Sequence, residues 1–146
     1  SYAGQPWKTQ YWVRQIMERL YNSTPDGFPG DEDQGGMSSW YVLSALGLYA
    51  VTPGTDQYVL GSPIFRKATI TMEDGKQFVI EAKDNSKQNV YVAERSLNGQ
   101  SITRNYITYK ELVSGGTLSL QMSDKPNKQL GTAKKDAPYS LTSDGY

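Results

Sequence analysis

The chain has 146 residues, 15 basic and 15 acidic side chains with a formal net charge of zero, and neither His nor Cys. These absences exclude a disulfide framework, a thiolate nucleophile, a His-dependent catalytic triad and the Cys- or His-based zinc motifs. The balanced charge argues against nucleic acid as a partner, and no apolar run is long enough to predict a membrane span. Carboxylates are therefore the expected agents of any acid–base chemistry.

The first predicted element is a helix over residues 6–21. Pro6 suits the first helical turn, where its missing N–H is not needed, and Pro25 and Gly27 follow the end of the segment. The large apolar residues recur at steps of four: Trp12, Ile16 and Leu20, with Val13 and Met17 beside them. This spacing predicts one apolar face that packs against the protein, with Arg14 lying off it.

A second helix is predicted over residues 37–49. The segment is apolar on nearly every face and carries no charge, which is typical of a helix surrounded by other elements. Two helices and a small β region are too little to surround it, so we expect its neighbours to lie outside this chain. Composition shifts near residue 55, and residues 1–55 are predicted to form one unit.

From residue 57 the period of the apolar pattern falls to two, which predicts β-strands at 58–60, 68–72, 78–81, 90–93 and 117–122. The dipeptides at 74–75 (DG) and 98–99 (NG) predict hairpin turns, because both tolerate positive φ. Thr108 and Glu111 have the spacing of a capping box that opens a short helix ending at Gly115. Residues 56–126 are expected to form a small antiparallel sandwich or meander, followed by a polar tail over 127–146.

The most concentrated chemical feature is the acidic turn, residues 29–36 (PGDEDQGG), which directly precedes the second helix. Free N–H groups at a helix start favour negative charge by about 0.3–1 kcal/mol per group, which keeps carboxylates ionised. In an extended turn Asp31 and Asp33 point the same way and Glu32 points the other. Two ionised aspartates aimed at one spot can hold and deprotonate a water, or share a hard cation.

Plainer interpretations stay open at this point. An acidic turn before a helix is most often a solvated cap. An EF-hand calcium loop fits poorly, because Gly35 stands at its fifth position and Val42 stands where a bidentate Glu belongs. Aromatic side chains on the two helices offer stacking surfaces for sugars, although their helical spacing is more typical of core packing. They are Tyr11, Trp12, Tyr21, Trp40 and Tyr41.

Residues 2–10 (YAGQPWKTQ), 30–41 (GDEDQGGMSSWY) and 44–49 (SALGLY) resemble glycoside hydrolase family 92, and residues 51–54 and 60–63 fit as well. The family consists of calcium-dependent, inverting α-mannosidases several times longer than this chain, with an N-terminal β-sandwich joined to an (α/α)6 barrel. The resemblance implies an α+β fragment: the last barrel helices in residues 1–55, followed by β elements in 56–126 that close the barrel end.

The resemblance also implies roles for the acidic residues. In inverting glycosidases one carboxylic acid protonates the leaving oxygen, and a carboxylate base activates water on the other face of the sugar. The family carries its base in two Asp separated by one residue, so Asp33 is the expected base with Asp31 assisting. Glu32 is expected to support them or to contact substrate. The general acid and most calcium ligands are expected upstream of this chain.

The expected parent protein is therefore an exo-acting α-mannosidase of N-glycan or mannan substrates, most simply α-1,2-linked, that is secreted, periplasmic or at the cell surface. The fragment, whose main partner would be the rest of its own parent chain, is expected to be inactive alone. The alternative function is a non-catalytic carbohydrate-binding or structural module in the β half.

Overall fold

The structure is a computed structural model that describes residues 1–144 and has a mixed α+β fold. Its described residues form three α-helices: α1 (Pro6–Leu20), α2 (Gly36–Ala45) and α3 (Tyr109–Val113). They also form eight strands: β1 (Leu48–Tyr49), β2 (Gln57–Leu60), β3 (Lys67–Thr71), β4 (Gln77–Lys83), β5 (Tyr91–Leu97), β6 (Gln100–Ser101), β7 (Tyr106–Thr108) and β8 (Gly116–Ser123). Two 3-10 turns follow, Lys134–Asp136 and Leu141–Asp144.

Helix α1 has almost the predicted bounds, but it packs through its polar side. Trp12 and Leu20, from the predicted apolar face, are 58% and 50% exposed, whereas Gln10 and Arg14 are buried. The predicted packing face is therefore wrong, although Met17 is buried. The physical reason lies in the β half, whose buried backbone and amide groups need hydrogen-bond partners. Gln10 Oε1 accepts a hydrogen bond from Val92 N at 3.0 Å. The Arg14 guanidinium donates hydrogen bonds to three acceptors in the β half.

Helix α2 is shorter and more exposed than predicted. The chain turns at Gly47, whose φ is 80° and whose added Cβ would lie 2.9 Å from Pro63 Cδ, and β1 then pairs with β2. Only Ser44 and Ala45 of this helix are buried, and Val42 is 58% exposed. The described elements cover only one side of α2, which is compatible with the expectation that its other neighbours lie outside this chain; that expectation stays a prediction.

The strands form two sheets, in the order β1-β2-β7 and β3-β4-β8-β5-β6. Both predicted hairpin turns are confirmed: one joins β3 to β4, and the other joins β5 to β6 with Asn98 and Gly99 at positive φ. The expectation of a wholly antiparallel region is wrong at one pair, since β4 and β8 run parallel. Strand β8 lies between β4 and β5, which run in opposite directions, so it must be parallel to one of them.

The main core lies between the two sheets and α3. Its most deeply buried members are Phe78, Leu48, Ile80, Ile107 and Leu118. The predicted capping box is confirmed: Thr108 Oγ1 accepts from Glu111 N, and the Glu111 carboxylate accepts from Thr108 N. This box fixes α3 at the end of β7, and Gly115, with a φ of 77°, ends it.

The polar tail is tied to the β half by a buried network. Asn105 is fully buried, and its side chain donates to Gly131 O at 2.6 Å and accepts from Arg95 at 2.9 Å. Thr103 Oγ1 donates to Asp136 Oδ1 at 2.7 Å. Burial lowers the pKa of Arg95 to about 10, an effect that the nearby Asp136 carboxylate partly offsets.

No helix among residues 1–144 is long and apolar enough to cross a membrane.

Candidate functional site

The acidic turn lies between the loop that follows α1 and the start of α2. Asp31 and Asp33 are exposed and Glu32 between them is half-buried, so the exposure alternates as the sequence predicts. Within the described part of the chain, neither aspartate side chain is engaged in an ion pair or hydrogen bond. Both carboxylates are therefore free to accept a proton or a hydrogen bond from a ligand.

Glu32 occupies a different position. Its Oε2 accepts a hydrogen bond from Ser38 N at 2.8 Å, in the first turn of α2. The N-cap residue of this helix is Gly35, which has no side chain to accept that bond. The other oxygen, Oε1, is enclosed and has no hydrogen-bond partner among residues 1–144. Of the three acidic residues, it is Glu32 that caps the helix.

An aromatic cluster adjoins the turn and is centred on Tyr21. The ring of Tyr21 stacks on Trp40 at 5.6 Å, lies 5.0 Å from Tyr41 and meets Phe28 edge-on at 6.0 Å. Burial raises the pKa of Tyr21, and electrostatic interaction with Glu32 raises it further. The other two predicted aromatics lie elsewhere, with Tyr11 edge-on to Trp12 and stacked on Tyr91.

A surface pocket of about 390 Å³ opens between the aromatic cluster and α2. It is lined by Tyr21, Phe28 and Tyr41 together with polar groups that include Ser38. The sequence did not single out Phe28 or Ser38. The sequence signal that could have pointed to Ser38 was the glycine at the N-cap position. Glycine has no side chain that can accept a hydrogen bond, so the free N–H groups of the first helical turn need an acceptor from elsewhere in the chain.

The loop before the turn is closed by its own backbone. Asn22 N donates to Gly27 O at 3.2 Å, and Gly27 N donates to Thr24 O at 3.0 Å. A Cβ on Gly27 would lie 2.1 Å from Asn22 O, so this position requires glycine. The loop thus fixes the path by which the chain enters the acidic turn.

The described residues contain no group of three or more acidic side chains that could hold a metal ion. The geometry explains why: Glu32 turns inward while Asp31 and Asp33 are exposed. The acidic side chains of residues 1–144 therefore do not by themselves form a calcium site, and calcium binding stays a prediction from the resemblance.

Comparison with known proteins identifies the class. Residues 1–124 match the glycosyl hydrolase family 92 catalytic domain. The chain therefore belongs to glycosyl hydrolase family 92.

Individual relatives agree with this assignment. An inverting mannosidase of the family from Bacteroides thetaiotaomicron is 51% identical with a TM-score of 0.91, over 97% of this chain and 19% of that one. A second α-mannosidase from that species, also solved in complex with mannoimidazole, is 37% identical with a TM-score of 0.90, over 96% of this chain and 18% of that one. An uncharacterized secreted glycosidase from Arthroderma benhamiae is 33% identical over 96% of this chain and 18% of its own length. The chain thus spans about a fifth of the length of these relatives.

Proposed function

We propose that the chain is the C-terminal part of an exo-acting, inverting α-mannosidase and that it supplies the general base of the reaction. The observation that carries the proposal is the exposed pair Asp31 and Asp33 on an anchored turn, in a chain that matches family 92 over residues 1–124. In this proposal α1 and α2 are the last helices of an (α/α)6 barrel. Their exposed apolar residues, among them Trp12 and Val42, would then pack against the rest of the full-length protein.

In the proposed reaction the carboxylate of Asp33 accepts a proton from water as that water attacks the anomeric carbon. The new C–O bond forms on the face opposite the leaving group, which gives inversion. Asp31 assists by accepting a second hydrogen bond from the water and holding it in line. The leaving oxygen takes its proton from a carboxylic acid outside this chain, so the chain alone holds half of the acid–base pair.

We also propose calcium as the metal of the full-length protein, with Asp31 or Asp33 contributing at most part of its coordination and most ligands coming from elsewhere. The proposed substrates are α-mannosides of the N-glycan or mannan type, with α-1,2 the first linkage to test.

A relative described as secreted, from Arthroderma benhamiae, supports a location outside the cytoplasm for the full-length protein. The proposed location, which is secreted, periplasmic or at the cell surface, is also where glycan substrates of this type are found.

The experiment compares the full-length protein that carries this segment with the 146-residue chain. Both are incubated with an α-1,2-linked mannobiose and an aryl α-mannoside, with calcium and after chelation, and the product anomer is followed by proton NMR. We expect the full-length protein to release β-mannose first and to lose activity on chelation, while the chain alone releases none. If the full-length protein does not cleave α-mannosides, the proposed activity is wrong. If α-mannose is the first product, the proposed inversion is wrong. If the chain alone turns over substrate, the proposed dependence on an acid outside this chain is wrong.

A further inference from the structure

We infer that Glu32 is a positioning residue, which clamps the acidic turn to helix α2 and thereby sets the directions of Asp31 and Asp33. The inference deepens the proposed function and rests on it for the catalytic consequence. The clamp itself rests only on the geometry of this chain.

Glu32 makes a direct contact with the start of helix α2. Its Oε2 lies 2.8 Å from Ser38 N, so a carboxylate receives an N–H that the helix itself cannot satisfy. Hydrogen bonds to an ionised acceptor are about twice as strong as neutral ones, and the helix dipole adds to the attraction. Gly35, with a φ of 74°, turns the backbone between the two partners, so the side chain of Glu32 folds back over the helix start.

The remaining carboxylate oxygen of Glu32 is confined. Oε1 is buried and has no hydrogen-bond partner in the part of the chain that the structure describes, and a Cβ added at Gly35 would lie 3.9 Å from it. The carboxylate thus has one oxygen committed to α2 and the other enclosed. Neither oxygen is presented to a sugar hydroxyl, which separates Glu32 from the substrate contact considered for it and leaves support as its role.

The inward position of Glu32 affects the directions of the two neighbouring aspartates. Asp31 and Glu32 lie in irregular chain and a bend begins at Asp33, and across these three residues the exposure alternates. When Glu32 is held inward, Asp31 and Asp33 are turned outward, in agreement with their exposure. Catalytic groups lose efficiency steeply when they are displaced, and a shift of about 1 Å can cost roughly 100-fold in rate. Removal of the clamp should therefore lower turnover without removing any group that touches the substrate.

The test uses Glu32→Ala and Glu32→Gln, with Asp26→Ala as a matched control because Asp26 is an exposed acidic residue in the preceding loop. Gln keeps an oxygen that can accept the Ser38 N–H, whereas Ala does not. In the 146-residue chain, amide exchange at Ser38 is measured by NMR. We expect about tenfold faster exchange in E32A, and rates within about threefold of the parent in E32Q and D26A.

In the full-length protein the same variants are compared by kcat, KM and the pH profile of kcat/KM. For E32A we expect kcat to fall about 10–100-fold with little change in KM. For E32Q we expect most of the activity to remain, and the acidic limb of its pH profile should lie at the same pH as in the parent. Unchanged Ser38 exchange in E32A would overturn the clamp. Equal losses of kcat in E32Q and E32A, with Ser38 exchange in E32Q still at the parent rate, would show that the negative charge itself acts in the reaction and would overturn the positioning role. If the full-length protein does not cleave mannosides, the exchange measurement still decides whether the clamp exists, so the two failures are distinguishable.

Discussion

Arg14→Met should detach helix α1 from the β half, because Arg14 joins the two. The residue is 3% exposed. Its guanidinium donates to Asn85 Oδ1 and to Ser86 O, each at 3.0 Å, and to Pro63 O. Glu18, four residues along the helix, contacts Arg14 Nε at 3.4 Å. Methionine fills a similar volume but donates no hydrogen bond.

The magnitude follows from the acceptors left behind. Pro63 O keeps a donor, because Asn85 Nδ2 also contacts it at 3.0 Å. Asn85 Oδ1 and Ser86 O lose the only donors that the described residues give them. A buried unsatisfied group such as Asn85 Oδ1 costs about 1–3 kcal/mol, whereas Ser86 O, in a half-buried residue, costs less because water can reach it. Burial also lowers the pKa of Arg14, which shows that its charge is partly desolvated, and removal of that charge returns some free energy. We therefore expect a net loss of about 2 kcal/mol in the free energy of unfolding.

The assay is urea unfolding of the 146-residue chain, followed by tryptophan fluorescence and far-UV circular dichroism. Arg19→Met is the matched control, since Arg19 lies on the same helix but is exposed, and it should change stability by less than about 0.5 kcal/mol. Arg14→Lys should give a free energy of unfolding between those of R14M and the parent. The ammonium group of lysine lacks the planar fork of N–H donors by which the guanidinium contacts its three acceptors. If R14M is as stable as R19M, the bonds from Arg14 do not hold α1 in place.

Two further predictions concern a loop and a helix cap. Gly27→Ala should lower the melting temperature and, in the full-length protein, the activity, because a Cβ would lie 2.1 Å from Asn22 O; an unchanged melting temperature would contradict the closed loop. Partial burial alone would raise the pKa of Glu111, but hydrogen bonds from Arg104 and Thr108 outweigh it and lower that pKa below 4.5. Because the folded-state pKa is depressed, this stabilisation is present above pH 4.5 and is lost as the pH falls through the folded-state pKa. Urea midpoints measured from pH 7 to pH 3 should therefore fall less steeply for Glu111→Gln than for the exposed control Glu73→Gln, and parallel curves would contradict the assignment.

Features set by local sequence were predictable. The bounds of α1, the two hairpins and the capping box of α3 depend on residues a few positions apart, and the structure confirms them. Features set by distant partners were not. The apolar period of α1 is present, but which face packs depends on Val92 N and Asn85, far along the chain. The parallel pair β4–β8 likewise depends on where the last strand inserts.

The candidate site shows the same division. The position of the acidic turn and the alternating exposure of its three acidic residues follow from the local pattern. The contact from Glu32 to Ser38 spans six residues and a left-handed Gly35, for which helix-start rules give no spacing. The aromatic cluster at Tyr21 joins the end of one helix to the next, so it depended on how α1 and α2 pack.

The most direct test of the central claim, that Asp33 is the base, is a leaving-group series. Full-length protein with Asp33→Asn, Asp31→Asn or the control Asp26→Asn is assayed on aryl α-mannosides whose phenols span a range of pKa. We expect D33N to lose about 10²–10⁴-fold in kcat on every substrate, because a good leaving group replaces an acid but not a base. D31N should lose less, and D26N should match the parent. Recovery of D33N activity on the most activated substrate would assign Asp33 to acid catalysis, and full activity of D33N throughout would contradict the account.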